Sequence, residues 1–147
     1  GADVLNEYYI KTIHHEFTHI LNQTKDYPAE FAQVNGSGYV ADSWSAAPYN
    51  EEYLKNGFIS AYAQHSDGED FAEMVSIYVT NPESFWNEQI KAAGKTGAGY
   101  INTKLEIVRA YMLDSWNIDI DQLRATILRR QDDVIGGKID LKSLNIR

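Results

Sequence analysis

The chain has 147 residues, 44% of them hydrophobic, a formal net charge of −8 and no cysteine. That length suits one domain, residues 1–147, with enough apolar side chains for a real core. The acidic balance without a basic cluster argues against nucleic acid and anionic membranes, no apolar run of about 18 residues is present to insert into a bilayer, and disulfide or thiol chemistry is excluded.

In chain order, a first helix is predicted over about Asp3 to Asn22, opening without a visible secretory leader. An N-terminal Gly1 is what a cleavage scar leaves, so the expectation is an excised domain. Ile13, Phe17, Ile20 and Leu21 follow the i, i+4, i+7, i+8 spacing of a buried stripe, which should pin this helix in the core. Inside it stands His15-Glu16-Phe17-Thr18-His19, an H-E-x-x-H pattern. Residues four apart share a helix face, so His15 and His19 aim two imidazoles at one point, a good pair of zinc ligands. Glu16, beside the first ligand, can take a proton from an attacking water, the arrangement of a metallohydrolase. Such a motif also arises by chance in roughly one chain in a hundred of this size, so further residues must support it.

Residues 24–50 read as irregular, with Pro28 opening a short helix through Val34, a loop at Asn35-Gly36-Ser37-Gly38, a brief extended piece at Tyr39-Val40, and an irregular path through Trp44 to Pro48. Glu51 to Asn56 reads as a short helix stopped by Gly57. A second central helix is predicted from about Asp67 to Thr80, burying Phe71, Val75 and Tyr78. Asn81-Pro82 breaks it and starts a third helix, ended by Gly94, and Lys95 to Gly99 reads as a flexible linker. Ile101, Leu105, Val108 and Met112 mark a fourth helix. Asp119 with Gln122 opens a fifth, carrying Ile120, Leu123 and Ile127 and ended by Gly136-Gly137, before a mostly polar tail. The fold class is mainly α, with at most a small strand pair.

Two imidazoles do not complete a catalytic zinc site, which uses three protein ligands and leaves one position open. Without cysteine, the third must be His, Asp or Glu. The richest stretch is Asp67-Gly68-Glu69-Asp70-Phe71-Ala72-Glu73, where Glu69 and Glu73 share a face. One can bind the metal while the other accepts a hydrogen bond from a ligand imidazole. Helix capping explains Glu69 and Asp70 without a metal, since Ser66-x-x-Glu69 is a capping box and first-turn acids suit the helix dipole. It does not explain Glu73, one turn deeper, where a carboxylate needs a partner. His65, in the loop before this helix, is read as exposed and is the reserve third ligand.

Together, His15-Glu16-x-x-His19 and Glu69-Asp70-Phe71-Ala72-Glu73 resemble the gluzincin pattern, in which a second helix supplies a glutamate ligand. The resemblance implies that Glu69 binds zinc and that Glu73 supports a histidine from behind. The runs Ile13 to Leu21, Gly57-Phe58-Ile59-Ser60-Ala61-Tyr62-Ala63 and Glu69 to Glu73 are more specifically similar to the zinc-binding metallopeptidase lipoproteins of Bacteroidetes, associated with outer-membrane nutrient import. The likeness reaches the catalytic domain of anthrax lethal factor, which has a tyrosine seven residues before its glutamate ligand, as Tyr62 stands before Glu69. It implies a zincin-like catalytic domain, Zn2+ as cofactor, a peptide or protein substrate, Glu16 and Tyr62 as catalytic residues, and an extracytoplasmic, lipid-anchored setting for the full-length protein. The lipoprotein signal and the sheet upstream of the histidine helix, both usual in those families, are not in the sequence, so the expectation is a fragment lacking them. The contrasting reading is a non-catalytic peptide- or glycan-binding module of an import system that keeps zinc for structure. Glu16 favours the enzyme, because a structural site has no use for that carboxylate.

Overall fold

The computed structural model describes residues 2–40 and 52–135. Trp44 to Pro48, Glu51, Gly136-Gly137 and the tail lie outside those residues. Within them the chain is mainly helical and no strand is present. Helix α1 spans Ala2–Thr24, α2 Glu30–Val34, α3 Asp67–Thr80, α4 Glu83–Trp116 and α5 Ile120–Ile135, with 3-10 turns at Gly36–Gly38 and Tyr62–His65.

Helix α3 is the centre, packed by α1, α2, α4, α5 and the Tyr62–His65 turn. Every residue from Asp70 to Thr80 is buried. Phe71, Met74, Val75, Tyr78 and Val79 therefore meet apolar partners on several sides, with Phe31 from α2, Ile101, Val108 and Tyr111 from α4 and Ile120 from α5. Ser66 caps α3, its hydroxyl accepting the Glu69 N–H at 3.2 Å, which satisfies one of the free donors of the first turn. The Asp119 carboxylate does the same for α5 toward the N–H groups of Asp121 and Gln122.

On α1 the packing differs from the apolar spacing. Ile13, Phe17 and Ile20 are exposed, at 62%, 49% and 57%, and of the expected stripe only Leu21 is buried. The face turned to α3 is instead His15, Thr18 and Leu21, spaced i, i+3, i+6. Carboxylates on α3 draw this face inward, because buried acidic groups must find donors.

Further differences lie in the connections. The helix expected to open at Pro28 begins at Glu30, with the Pro28 carbonyl accepting the Phe31 N–H. Residues 52–57 form a run of turns rather than a helix, ended by Gly57 at φ +88°. Tyr39 is extended and Val40 donates to the Gln64 carbonyl at 2.8 Å, and no strand pair forms among the described residues. The expected linker Lys95 to Gly99 is helical, and the third and fourth helices form one element, α4, broken only at Gly94 (φ +71°). Asn117 in the left-handed region ends it.

Gly97 is required for close approach rather than for flexibility. A Cβ at this position would lie 2.2 Å from the Leu54 carbonyl oxygen and 3.0 Å from that of Lys55. A second anchor is the ion pair between Lys104 on α4 and Asp70 on α3, at 2.7 Å, both fully buried. Tyr39 donates to the same Asp70 oxygen at 2.6 Å, and the Lys104 ammonium lies 4.6 Å from the centre of the Phe58 ring. Burial pushes the Asp70 carboxyl up and the Lys104 amine down in pKa, while their attraction opposes both shifts.

Helix propensity and packing predict opposite signs for two glycines of α4. Gly97→Ala should lose about 1–3 kcal/mol, because the methyl group meets backbone that cannot yield cheaply. Gly99→Ala, whose Cβ meets nothing within 4 Å, should gain up to about 1 kcal/mol. Urea denaturation of both variants checks this, and a stabilised Gly97→Ala would mean that the 52–57 turn does not press on α4.

Candidate metal centre

The site forms where one face of α1 meets the first two turns of α3. His15 and His19, one turn apart on α1, point their Nε2 atoms to within 3.1 Å of each other. From α3, Glu69 brings Oε2 to 2.9 Å from His15 Nε2 and Oε1 to 3.1 Å from His19 Nε2. These three residues are the group of potential metal donors found among the described residues.

The donor set fits zinc. Two imidazole nitrogens and a carboxylate oxygen are borderline ligands that suit it, and tetrahedral zinc with bonds near 2.1 Å separates its ligands by about 3.4 Å. The observed edges of 2.9–3.1 Å need to open by only a few tenths of an ångström.

The protonation pattern points the same way. His15 Nδ1–H donates to Glu73 Oε2 at 2.8 Å. In the neutral ring this leaves a lone pair on Nε2, facing a carboxylate oxygen and the second imidazole. Positive charge relieves that juxtaposition, either a proton on Nε2 or a cation held between the groups. Burial alone would lower the His15 pKa, but the hydrogen bond and charge of Glu73, followed by those of Glu69, raise it overall. The two carboxylates thus stabilise positive charge on the His15 ring.

Behind the donors, Glu73 is buried to 2% exposure. Besides His15 it accepts from Ser60 Oγ at 2.8 Å, and Lys11 Nζ lies 3.2 Å from each of its oxygens. Burial would raise its pKa, but the His15 hydrogen bond, Lys11 and Ser60 outweigh this and hold it below the usual range, as an anion. Carboxylates behind a metal-binding histidine fix the ring tautomer in this way.

Glu16 is exposed on the neighbouring face of α1 and lines a groove of about 180 Å3 with Lys11, His15, Tyr62 and Glu73. Tyr62 opens the 3-10 turn, with its ring centre 5.9 Å from that of His15. Burial and the neighbouring Glu69 push the Tyr62 pKa to about 12, so the hydroxyl keeps its proton at neutral pH. His65 is not exposed, as expected from sequence, but half-buried and stacked on Tyr62, and it is not part of the donor triangle.

The structure therefore brings together His15, His19, Glu69, Glu73, Glu16 and Tyr62 from two motifs and the intervening turn. Sequence reasoning missed Lys11 and Ser60. Lys11 carries a signal, standing one turn before His15 on the same face. Ser60 carries none that spacing could reveal.

The family described as putative zinc-binding metallo-peptidase matches residues 2–121. The crystal structure of a putative zinc-binding metallo-peptidase from Bacteroides caccae is similar to this chain, with a TM-score of 0.87 and 37% sequence identity over 96% of it. The chain spans 53% of that protein's length. No curated protein matches.

The geometry separates the two α3 glutamates. Glu69→Ala should remove one corner of the donor triangle and most of the bound zinc. Glu73→Ala should retain zinc but bind it about 10- to 100-fold more weakly. Chelator competition on the purified variants measures both, and the reverse order would exchange the two roles.

Proposed function

The chain belongs to the family of putative zinc-binding metallo-peptidases, and on that premise we propose that it is a gluzincin-type peptidase domain hydrolysing peptide bonds. Zinc is its cofactor, as the family description states. In this reading His15, His19 and Glu69 hold the metal, Glu73 orients His15, Glu16 is the general base and Tyr62 stabilises the developing oxyanion. The observation that carries the reading is the triangle of donors, with His15 Nε2 2.9 Å from a Glu69 oxygen and 3.1 Å from His19 Nε2.

When bound, zinc supplies Lewis-acid polarisation of a carbonyl and makes water more acidic. The chain's own residues supply the rest. The Glu16 carboxylate, open to the groove, takes the proton from the attacking water and hands it to the leaving amine nitrogen. The Tyr62 hydroxyl, protonated at neutral pH, donates a hydrogen bond to the carbonyl oxygen as negative charge builds on it. Because that bond strengthens mainly in the transition state, it acts on turnover more than on binding. An extracytoplasmic setting belongs to the same proposal and rests on the resemblance to import-associated lipoproteins.

Two measurements test these roles. The purified domain should bind one zinc per chain, and Glu16→Gln should keep that zinc while losing hydrolysis in a peptide-library cleavage assay, since an amide cannot act as the base. Wild-type turnover in Glu16→Gln would exclude it as base. A zinc-loaded wild type that cleaves nothing would favour a binding module.

Tyr62→Phe keeps the ring and removes only the hydroxyl. Turnover should fall on the order of 10²-fold, with zinc content and melting temperature unchanged. Unaltered turnover would leave Tyr62 only its packing role against His15 and His65.

A further inference from the structure

We propose that Ser60 and Lys11 are positioning residues for the metal, acting through Glu73, and that Ser60 also ties Glu73 to the turn bearing Tyr62. The inference rests on the reading that His15, His19 and Glu69 bind zinc, and it adds residues that lie outside both sequence motifs.

A hydroxyl has one hydrogen to give and lone pairs to receive, and Ser60 uses both functions. It gives its hydrogen to Glu73 Oε1 at 2.8 Å. Its oxygen receives the Ala63 N–H at 3.2 Å. Ala63 stands in the first turn of the 3-10 helix that Tyr62 opens. First-turn N–H groups lack partners within their own helix, so Ser60 acts as a cap for the Tyr62–His65 turn. One side chain thus links the carboxylate behind His15 to the backbone that carries Tyr62.

Lys11 completes the hold from the other side, with Nζ 3.2 Å from each Glu73 oxygen. A carboxylate with two oxygens can rotate and can offer either one. Ser60 occupies Oε1, leaving Oε2 for His15 Nδ1 at 2.8 Å. A carboxylate at Nδ1 fixes the tautomer that leaves the Nε2 lone pair for the metal. Without Ser60 the Glu73 carboxylate loses one of its three donors and is held less firmly in line with His15 Nδ1. Side chains that support metal ligands in this indirect manner typically change affinity by about 10- to 100-fold.

The test is zinc affinity by chelator competition at neutral pH, on the full chain, for wild type, Ser60→Ala, Ser60→Thr, Lys11→Met and Glu73→Ala, and for the double variants with Glu73→Ala. Ser60→Ala should weaken zinc about tenfold, and Ser60→Thr, which keeps the hydroxyl, should restore most of that loss. Lys11→Met should weaken it severalfold, by an amount that shrinks with added salt, because Lys11 is partly exposed. In the Glu73→Ala background neither change should cost further affinity, since both act through that carboxylate. A merely structural serine would lower the melting temperature of the metal-free protein without this non-additivity. Wild-type affinity in both single variants, or losses that add fully to that of Glu73→Ala, would overturn the inference. Lys11→Met lies on a partly exposed surface of α1 and keeps the test decisive if Ser60→Ala does not fold. A wild type that holds no stoichiometric zinc would instead overturn the metal reading, and this inference with it.

Discussion

The hydrogen bond between His15 and Glu73 joins α1 to α3, and the site depends on it. A carboxylate at 2% exposure cannot rely on water and must be satisfied by donors the chain brings to it. Those donors come from two separate segments, with Lys11 and His15 on α1 and Ser60 in the chain before α3. Satisfying Glu73 therefore sets the register of α1 against α3. Once that register is set, His19 falls one turn beyond His15, opposite Glu69, and the three donors converge. The contact that packs α1 on α3 is thus also the one that brings the three candidate metal donors together.

The rotation of α3 about its axis is held from its other side. Asp70 follows Glu69 and so points about 100° away around the helix. It meets Lys104 of α4 and the Tyr39 hydroxyl in a fully buried pair. Breaking one partner of such a pair commonly costs about 3–5 kcal/mol, because the other charge is left unmatched. Turning α3 by one residue would carry Asp70 away from Lys104 and Glu73 away from His15 together. Two buried carboxylates on one helix thus fix its orientation more sharply than its apolar residues could, since every residue from Asp70 to Thr80 is buried and burial alone does not single out one face.

Much of this was legible in the sequence. The bounds of α3 follow from Ser66 as cap and Asn81-Pro82 as stop, and the structure places that helix over Asp67–Thr80. The face shared by Glu69 and Glu73 follows from helical spacing alone. Three features were not legible, each for a physical reason. Apolar periodicity on α1 shows that a stripe exists but not which neighbour covers it, and the demand of Glu73 for donors turned His15 inward while Ile13, Phe17 and Ile20 stayed outside. Glycine at 97 has the same letter whether it serves flexibility or close approach, and only the Leu54 carbonyl distinguishes the two. Lys104 stands on the buried face marked by Ile101, Leu105 and Val108, where a lysine ordinarily signals an exposed position unless a buried acid answers it.

The division of labour within the site follows from the elements that carry it. His15, His19 and Glu69 sit on two helices packed against each other, so the core preorganises these candidate metal donors. Tyr62 sits on a single 3-10 turn whose backbone is held by Ser60 and by the link from Val40 to Gln64. Burial and the neighbouring Glu69 keep its phenol protonated. On the peptidase reading, a rigid pair of helices carries the groups that must stay still between turnovers. The short turn carries Tyr62, and its tether through Ser60 runs to the same Glu73 that meets His15. On that reading any adjustment of Tyr62 toward substrate falls to its side chain rather than to the backbone that Ser60 holds.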